Sequence, residues 1–246
     1  MKFYEYFDAK YLCPIPKYKK ELRYWNKILI NDCNEELVSL SGVSDKIIVE
    51  PQYYLDNIAG SYDDCMVRVT IKNKLVKISE KLPDGYFLNI WDGFRTVETQ
   101  QSLFDKYYSI FAKKTKLEGE ALLEYTKKFV SLPSYDVSNP SPHNTGAVVD
   151  LTICDSDGKS IELGTYFDDF EEKSYTRYYE ELLESGRELT ELEKEILYNR
   201  RILCNLFEEA GFLNYPYEIW HKSYGDQMYC ELCDGEYANY GSAEIE

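Results

Sequence analysis

A strand-like run at Ala147–Ile153 carries one carboxylate, Asp150, in mostly apolar company, and it follows a loop punctuated by Pro133, Pro140 and Pro142. Side chains alternate along a strand, so Asp150 can point to the face that the preceding loop approaches. That loop bears His143, seven residues ahead of Asp150. The chain has only two histidines, His143 and His221. Any site that needs imidazole must therefore draw on these two positions, which lie far apart in the sequence.

The remaining pattern mixes helices with separated strands. From Asp64 to Leu82 the apolar positions Val67, Ile71, Leu75, Ile78 and Leu82 follow a helical spacing, while the alternation Val67, Val69, Ile71 favours a strand start. Pro83-Asp84-Gly85 is a turn and Tyr86–Trp91 reads as a buried strand. The spacing predicts helices over Thr96 to Phe111 and over Leu117 to Val130. Thr190 and Glu193 form a capping box before Ile196, Leu197, Leu203 and Phe207, and Gly211 supplies the stop, which makes this the clearest and last helix. The first 50 residues give no clear assignment. Without regular βα alternation or a linker, the expectation is one α+β domain over residues 1–246.

Composition narrows the partners. With 28 Lys+Arg against 44 Asp+Glu, the net charge of −16 excludes a protein that wraps nucleic acid, because neutralising phosphates takes clustered cations. No stretch approaches 18 consecutive apolar residues, so no membrane span is expected. The first 16 residues lack the apolar core of a secretory signal. Seven scattered cysteines then read as reduced thiols, and the expected location is cytoplasmic.

The chemistry sits in three segments. Imidazole nitrogen and carboxylate oxygen are both zinc ligands at about 2.0–2.2 Å, and Ser141–Asp150 offers His143 and Asp150. A loop with a capping serine and a surface aspartate would look the same. Glu218-Ile219-Trp220-His221 puts a carboxylate three residues before an imidazole, on one helical face or across a short turn. Three protein ligands with an open water position make a catalytic zinc site, and His143, Asp150 and His221 can supply them. Glu218 could then take the proton of the zinc-activated water. Arg95, at the end of Trp91-Asp92-Gly93-Phe94-Arg95, offers the cation that a developing oxyanion needs.

These segments resemble the D-alanyl-D-alanine dipeptidases of the vancomycin-resistance type, within the zinc D-Ala-D-Ala peptidases. The shared SxHxxGxxxD pattern is Ser141–Asp150, the later ExxH is Glu218–His221, and the WDG(Y/F)R segment is Trp91–Arg95. Between them fall Leu151-Thr152-Ile153, Gly164-Thr165-Tyr166-Phe167-Asp168, Asn199-Arg200-Arg201 and Gly211-Phe212, in order over roughly residues 50–230. The resemblance implies a central antiparallel sheet carrying one zinc ion per chain, flanked by helices. It implies His143, Asp150 and His221 as ligands, Glu218 as general base and Arg95 as the arginine of the tetrahedral intermediate. It gives Asp168 the substrate's free ammonium and places Ser141 in the same pocket. The implied partner is a small dipeptide, with a homodimer left open.

Some positions depart from the family pattern: Val148 replaces an alanine, Ile219 a tryptophan and Thr96 a proline. Two alternatives stand beside the dipeptidase. One is a D,D-carboxypeptidase acting on longer peptidoglycan stem peptides; the other is a non-catalytic binding module on the same zinc fold. Cys230-x-x-Cys233 stands alone without a second pair, and Asp155-x-Asp157-Gly158 reads as a β-turn because position 12 of a calcium loop would be Tyr166. Glu171-Glu172 and Glu180-Glu181 read as solvated helix faces or ends. The 24 tyrosines have no explanation in the sequence.

Overall fold

The computed structural model describes residues 1–18, 22, 24–127 and 129–245. Lys128, inside the helix expected over Leu117–Val130, lies outside the described residues. The strands are β1 Leu29–Ile30, β2 Leu37–Ser39, β3 Ile47–Val49, β4 Met66–Arg68, β5 Tyr86–Asp92, β6 Val148–Asp155, β7 Leu213–Asn214, β8 His221–Ser223 and β9 Tyr237–Ala238. The α-helices are α1 Gln52–Leu55, α2 Val69–Ser79, α3 Val97–Thr115, α4 Gly119–Thr126, α5 Tyr178–Glu184, α6 Glu191–Glu209 and α7 Gln227–Leu232. The α+β expectation holds.

Five strands form the central sheet in the order β3-β5-β6-β8-β7. The pairs β5–β6, β6–β8 and β7–β8 are antiparallel, as expected, but β3 runs parallel to β5. The sheet is therefore mixed, a correction confined to its edge. Pairs β2–β4 and β1–β9 lie outside it.

Period-two alternation divides β6 between two environments. Val149, Leu151 and Ile153 join Leu88 and Ile90 of β5 in the main core, against Ile71, Leu75 and Ile78 of α2 and Leu203, Leu206 and Phe207 of α6. Burying each such side chain is worth roughly 1.5–3 kcal/mol. The other residues of β6, Asp150 among them, face the opposite way.

The competing signals at 64–82 are both realised, because β4 takes Met66–Arg68 and α2 begins at Val69. The helix expected from Thr96 runs from Val97 to Thr115, and the Thr96 hydroxyl accepts from the Thr99 amide. The threonine that departs from the family's proline is thus an N-cap. The helix expected over 117–130 is shorter, Gly119–Thr126. Thr190 and Glu193 form the capping box of α6, and the Gly211 amide closes its end on the Glu208 carbonyl. This helix is not the last, because the short α7 follows it. Asp155–Lys159 is a tight turn held by the Asp155 carboxylate, consistent with the β-turn reading.

Glu180 departs from its sequence reading. It is only 2% exposed, and its carboxylate takes two hydrogen bonds from Arg201 and one from the Ile15 amide. Glu171, Glu172 and Glu181 are exposed as expected. Cys230 and Cys233 are unbridged, and the Cys230 thiol donates to the Tyr237 carbonyl. Among the described residues no helix is long and apolar enough to cross a membrane.

Candidate active site

The site is laid out by the register of three strands. Leu88 pairs with Ile153 and Ile90 with Leu151, but the next pair is Asp92 with Asp150, so one extra residue is accommodated at Trp91. Without that bulge Asp92 would oppose Val149 and face the core; with it, Asp92 turns to the face of Asp150. Asp150 in turn pairs with His221 of β8. Asp92, Asp150 and His221 therefore form one row across the sheet, on the face away from the main core.

His143 reaches this row from a 3-10 turn, Pro142–Thr145, that Gly146 ends with φ of 67°. A side chain at Gly146 would also collide with Leu37. The turn is tied to the Asp92–Arg95 segment: the Asn144 amide donates to the Arg95 carbonyl at 2.6 Å, and the Arg95 amide donates to the His143 carbonyl. Gly93 is needed because a Cβ there would stand 2.5 Å from the Met66 carbonyl of β4. His143 Nδ1 lies 2.8 Å from the Gly93 carbonyl and 2.9 Å from Asp92. Both partners only accept, so Nδ1 is the donor and Nε2 is left free to take a proton or a metal.

His143, Asp150 and His221 are all buried, and their ligand atoms lie within 4.8 Å of one another. His143 Nε2 is 3.4 Å from Asp150 Oδ2, and His221 Nδ1 is 3.2 Å from Asp150 Oδ1. Ligands of a tetrahedral ion at 2.0–2.1 Å stand about 3.3 Å apart, so these spacings suit one cation. His143 Nε2 and Asp150 Oδ1 are also buried without a hydrogen-bond partner. Orphaned buried acceptors aimed at a common point are what a cation would satisfy. His221 Nε2 faces the Ser223 hydroxyl at 3.3 Å, which leaves its Nδ1 for the same point.

The electrostatics carry the same mark. Burial and Arg95 push His143 down, yet Asp150 and Asp92 outweigh them and lift it to about 9. Burial draws His221 down to about 4 against the pull of Asp150. Asp150 is held well below the usual carboxylate range, its burial overcome by the two imidazoles. Glu218 lies 3.5 Å from His221 Nδ1 across a short turn in which the His221 amide donates to the Glu218 carbonyl. Burial, reinforced by Asp150 and Asp168, raises Glu218 to about 8.

Arg95 lies beside the row. Its Nε donates to Asp92 at 2.6 Å, one terminal nitrogen to Gln100, and the other to Asp150 and to the Tyr53 hydroxyl. Burial works against its charge, but Asp92 leads a group of anionic neighbours that hold it firmly protonated.

Asp168 lines the same cavity in a left-handed backbone conformation, φ 56°. The hydroxyls of Tyr53 and Tyr107 donate to its carboxylate, Tyr107 at 2.7 Å. Tyr53 thus accepts from Arg95 and donates to Asp168. Burial lifts Asp168 to about 6, opposed by the Tyr107 hydrogen bond and Arg95. Its loop is pinned by Arg200 of α6, which donates to the carbonyls of Leu163, Lys173 and Tyr175. Asn199 adds a bond to the Glu162 carbonyl. The Asn-Arg-Arg segment therefore fixes the Asp168 loop and, through Arg201, α5.

Six of the seven expected residues line one cavity: Arg95, His143, Asp150, Asp168, Glu218 and His221. Ser141 does not join them. Its hydroxyl donates to the Leu132 carbonyl, and it lines a neighbouring cavity instead. Sequence reasoning missed Tyr53, Tyr107 and Gln100, and gave Asp92 only a turn. Nothing distinguishes two tyrosines among 24, whereas Asp92 stood inside a quoted segment.

A carboxylate flanked by two imidazoles, with a second carboxyl and a buried arginine alongside, defines the centre of a metallohydrolase. The sequence pattern of the M15 peptidases described as D-Ala-D-Ala dipeptidase matches residues 34–241, and the chain belongs to that family. It is 28% identical over 227 residues to the D-alanyl-D-alanine dipeptidase of Synechocystis, covering 85% of this chain and 89% of the relative. It is 26% identical over 179 residues to the D-alanyl-D-alanine dipeptidase of Enterococcus faecium, covering 72% and 78%. Among solved structures it is similar to the vancomycin-resistance D,D-pentapeptidase VanY in complex with Zn(II), at 18% identity and a TM-score of 0.44, covering 81% of this chain and 88% of that one.

Proposed function

We propose that this chain is a zinc-dependent dipeptidase that hydrolyses D-alanyl-D-alanine or a closely related dipeptide, working in the cytoplasm as a single peptidase domain over residues 1–246. The observation that carries the reading is the convergence of His143 Nε2, Asp150 and His221 Nδ1, two of their acceptor atoms orphaned in a buried site, beside Glu218. Family membership and the dipeptidase names of the relatives support the substrate. Seven unpaired cysteines accord with a reducing compartment.

In this reading His143, Asp150 and His221 hold Zn²⁺. The ion supplies Lewis-acid polarisation of the scissile carbonyl and acidifies a water molecule. Glu218, 3.5 Å from His221 Nδ1, takes the proton of the attacking water and delivers it to the leaving amine. Arg95, held on Asp92, stabilises the oxyanion. Asp168 receives the substrate's ammonium, with the Tyr53 and Tyr107 hydroxyls fixing its orientation. That contact requires a free amino terminus next to the scissile bond, which favours dipeptides over longer chains. Ser141 is assigned a supporting part, bracing the His143 turn through its bond to Leu132.

The test is release of free D-alanine from D-Ala-D-Ala by zinc-loaded protein, with a chelator-treated control. Chelator-sensitive release is expected. Zinc bound at one per chain without release would remove this substrate from the reading.

A further inference from the structure

A dipeptide carries two charges, and the assignments above account for one. With its ammonium on Asp168, the same molecule brings a carboxylate into a cavity already lined by Asp150, Asp168 and Glu218. Among the described residues, and apart from the two histidines, the cations lining that cavity are Arg95 and Lys127. Arg95 donates from Nε and both terminal nitrogens to Asp92, Gln100, Tyr53 and Asp150, and in the reading above it serves the oxyanion. In this reading the metal offsets Asp150 and the substrate's ammonium offsets Asp168, but neither gives the incoming carboxylate a directed hydrogen-bond donor, so the second cation has a task to fill.

The position of Lys127 suits it. Gln100 bridges two sides of the site: its oxygen accepts from one terminal nitrogen of Arg95, and its amide donates to the Ser131 carbonyl at 2.8 Å. This ties the segment after α4, with Lys127 and Ser131, to one end of the guanidinium. Tyr53 and Asp168 lie off the other terminal nitrogen. Lys127 and Ser131 also line a second cavity of about 440 Å³, so they stand at the boundary between the site and its neighbour. Among the described residues the partner of the Lys127 ammonium is Glu124, one turn earlier at 2.6 Å, and the Glu124 side chain is 54% exposed. A solvent-screened pair of this kind exchanges partners at little cost.

We propose that Lys127 receives the substrate's C-terminal carboxylate, leaving Glu124 to do so, and that it makes the enzyme selective for dipeptides with a free α-carboxylate. The proposal rests on the dipeptidase reading. Asp168 and Lys127 then measure the substrate from both ends.

The experiment compares D-Ala-D-Ala with its C-terminal amide, D-Ala-D-alaninamide, on the zinc-loaded wild type, Lys127→Met and Lys127→Arg. The wild type is expected to prefer the free acid. Lys127→Met should raise KM for the acid by about 10- to 100-fold, the range of a charge-assisted hydrogen bond, and bring acid and amide together. Lys127→Arg should restore most of the preference. An active Lys127→Met protein that discriminates acid from amide as the wild type does overturns the assignment of Lys127. Zinc-bound wild type that cleaves neither compound overturns the dipeptidase reading itself, a separate failure. Lys127 is exposed, so the substitution leaves the folded core untouched.

Discussion

Asp92 stands directly across the sheet from Asp150, and Arg95 donates to both carboxylates, at 2.6 and 3.2 Å. The same Asp92 oxygen lies 2.9 Å from His143 Nδ1. One carboxylate outside the candidate metal ligands thus orients both the arginine and an imidazole. Asp92→Ala should weaken zinc binding by about 10- to 100-fold, the usual effect of losing such a partner. It should also lower kcat/KM by more than the loss of metal explains, because Arg95 is released as well. Competition with a chromophoric chelator measures the first effect, and assays at saturating zinc measure the second. Wild-type zinc affinity in the variant would remove Asp92 from the orienting role.

How far this arrangement could be foreseen depended on whether a signal was local. The capping box of α6, the turn at Pro83–Gly85 and the alternation of β6 are written in neighbouring residues, and they appear as expected. The bulge at Trp91 is not local, because it exists only relative to the register of β6. Tyr53 and Tyr107 meet Asp168 across separations of 115 and 61 residues, and no spacing rule reaches that far. Glu180 was misread for the same reason: a Glu-Glu pair looks solvated until Arg201 arrives from α6. Six of the seven expected residues converge on one cavity, and the long-range contacts through which Asp92, Arg200 and the two tyrosines hold them were not legible.

Glu218 lies beside the three candidate ligands without being one of them. Glu218→Gln keeps its size and removes its basicity. It is expected to lower kcat by about 10²- to 10⁴-fold while zinc remains at one per chain. Chelation of the wild type should abolish activity, and added zinc should restore it. Turnover near wild type in Glu218→Gln would exclude it as the base.

Asp168 predicts a pH dependence. Only its ionised form attracts an ammonium, and burial has lifted it to about 6. KM for a free dipeptide should therefore rise as pH falls through about 6, while the substrate's own amine stays protonated. Asp168→Asn should show a high KM that no longer varies there, and N-acetylated dipeptides should be poor substrates at any pH. Stability should move the opposite way. A carboxyl raised from 3.8 to about 6 destabilises the fold above pH 6 and costs nothing below its unfolded value. The difference corresponds to roughly 3 kcal/mol at most. Metal-free Asp168→Asn should thus melt higher than wild type at pH 8, with the advantage gone near pH 3. A variant that is less stable than wild type at pH 8 would count against this account.

Glu180 and Arg201 test stability apart from chemistry. The pair is almost fully buried, bonded through two contacts of 2.8 Å, and Glu180 also accepts from the Ile15 amide. Removing one partner leaves the other charge in a poorly solvated place, which typically costs about 3–5 kcal/mol. Glu180→Ala should be destabilised by that order in urea unfolding, with zinc affinity and KM close to wild type where it remains folded. Arg201→Met in the same background should recover part of the loss, because it removes the stranded guanidinium. If the double variant is no more stable than Glu180→Ala alone, the cost lies in the lost Ile15 contact and the packing of α5, not in the unpaired charge.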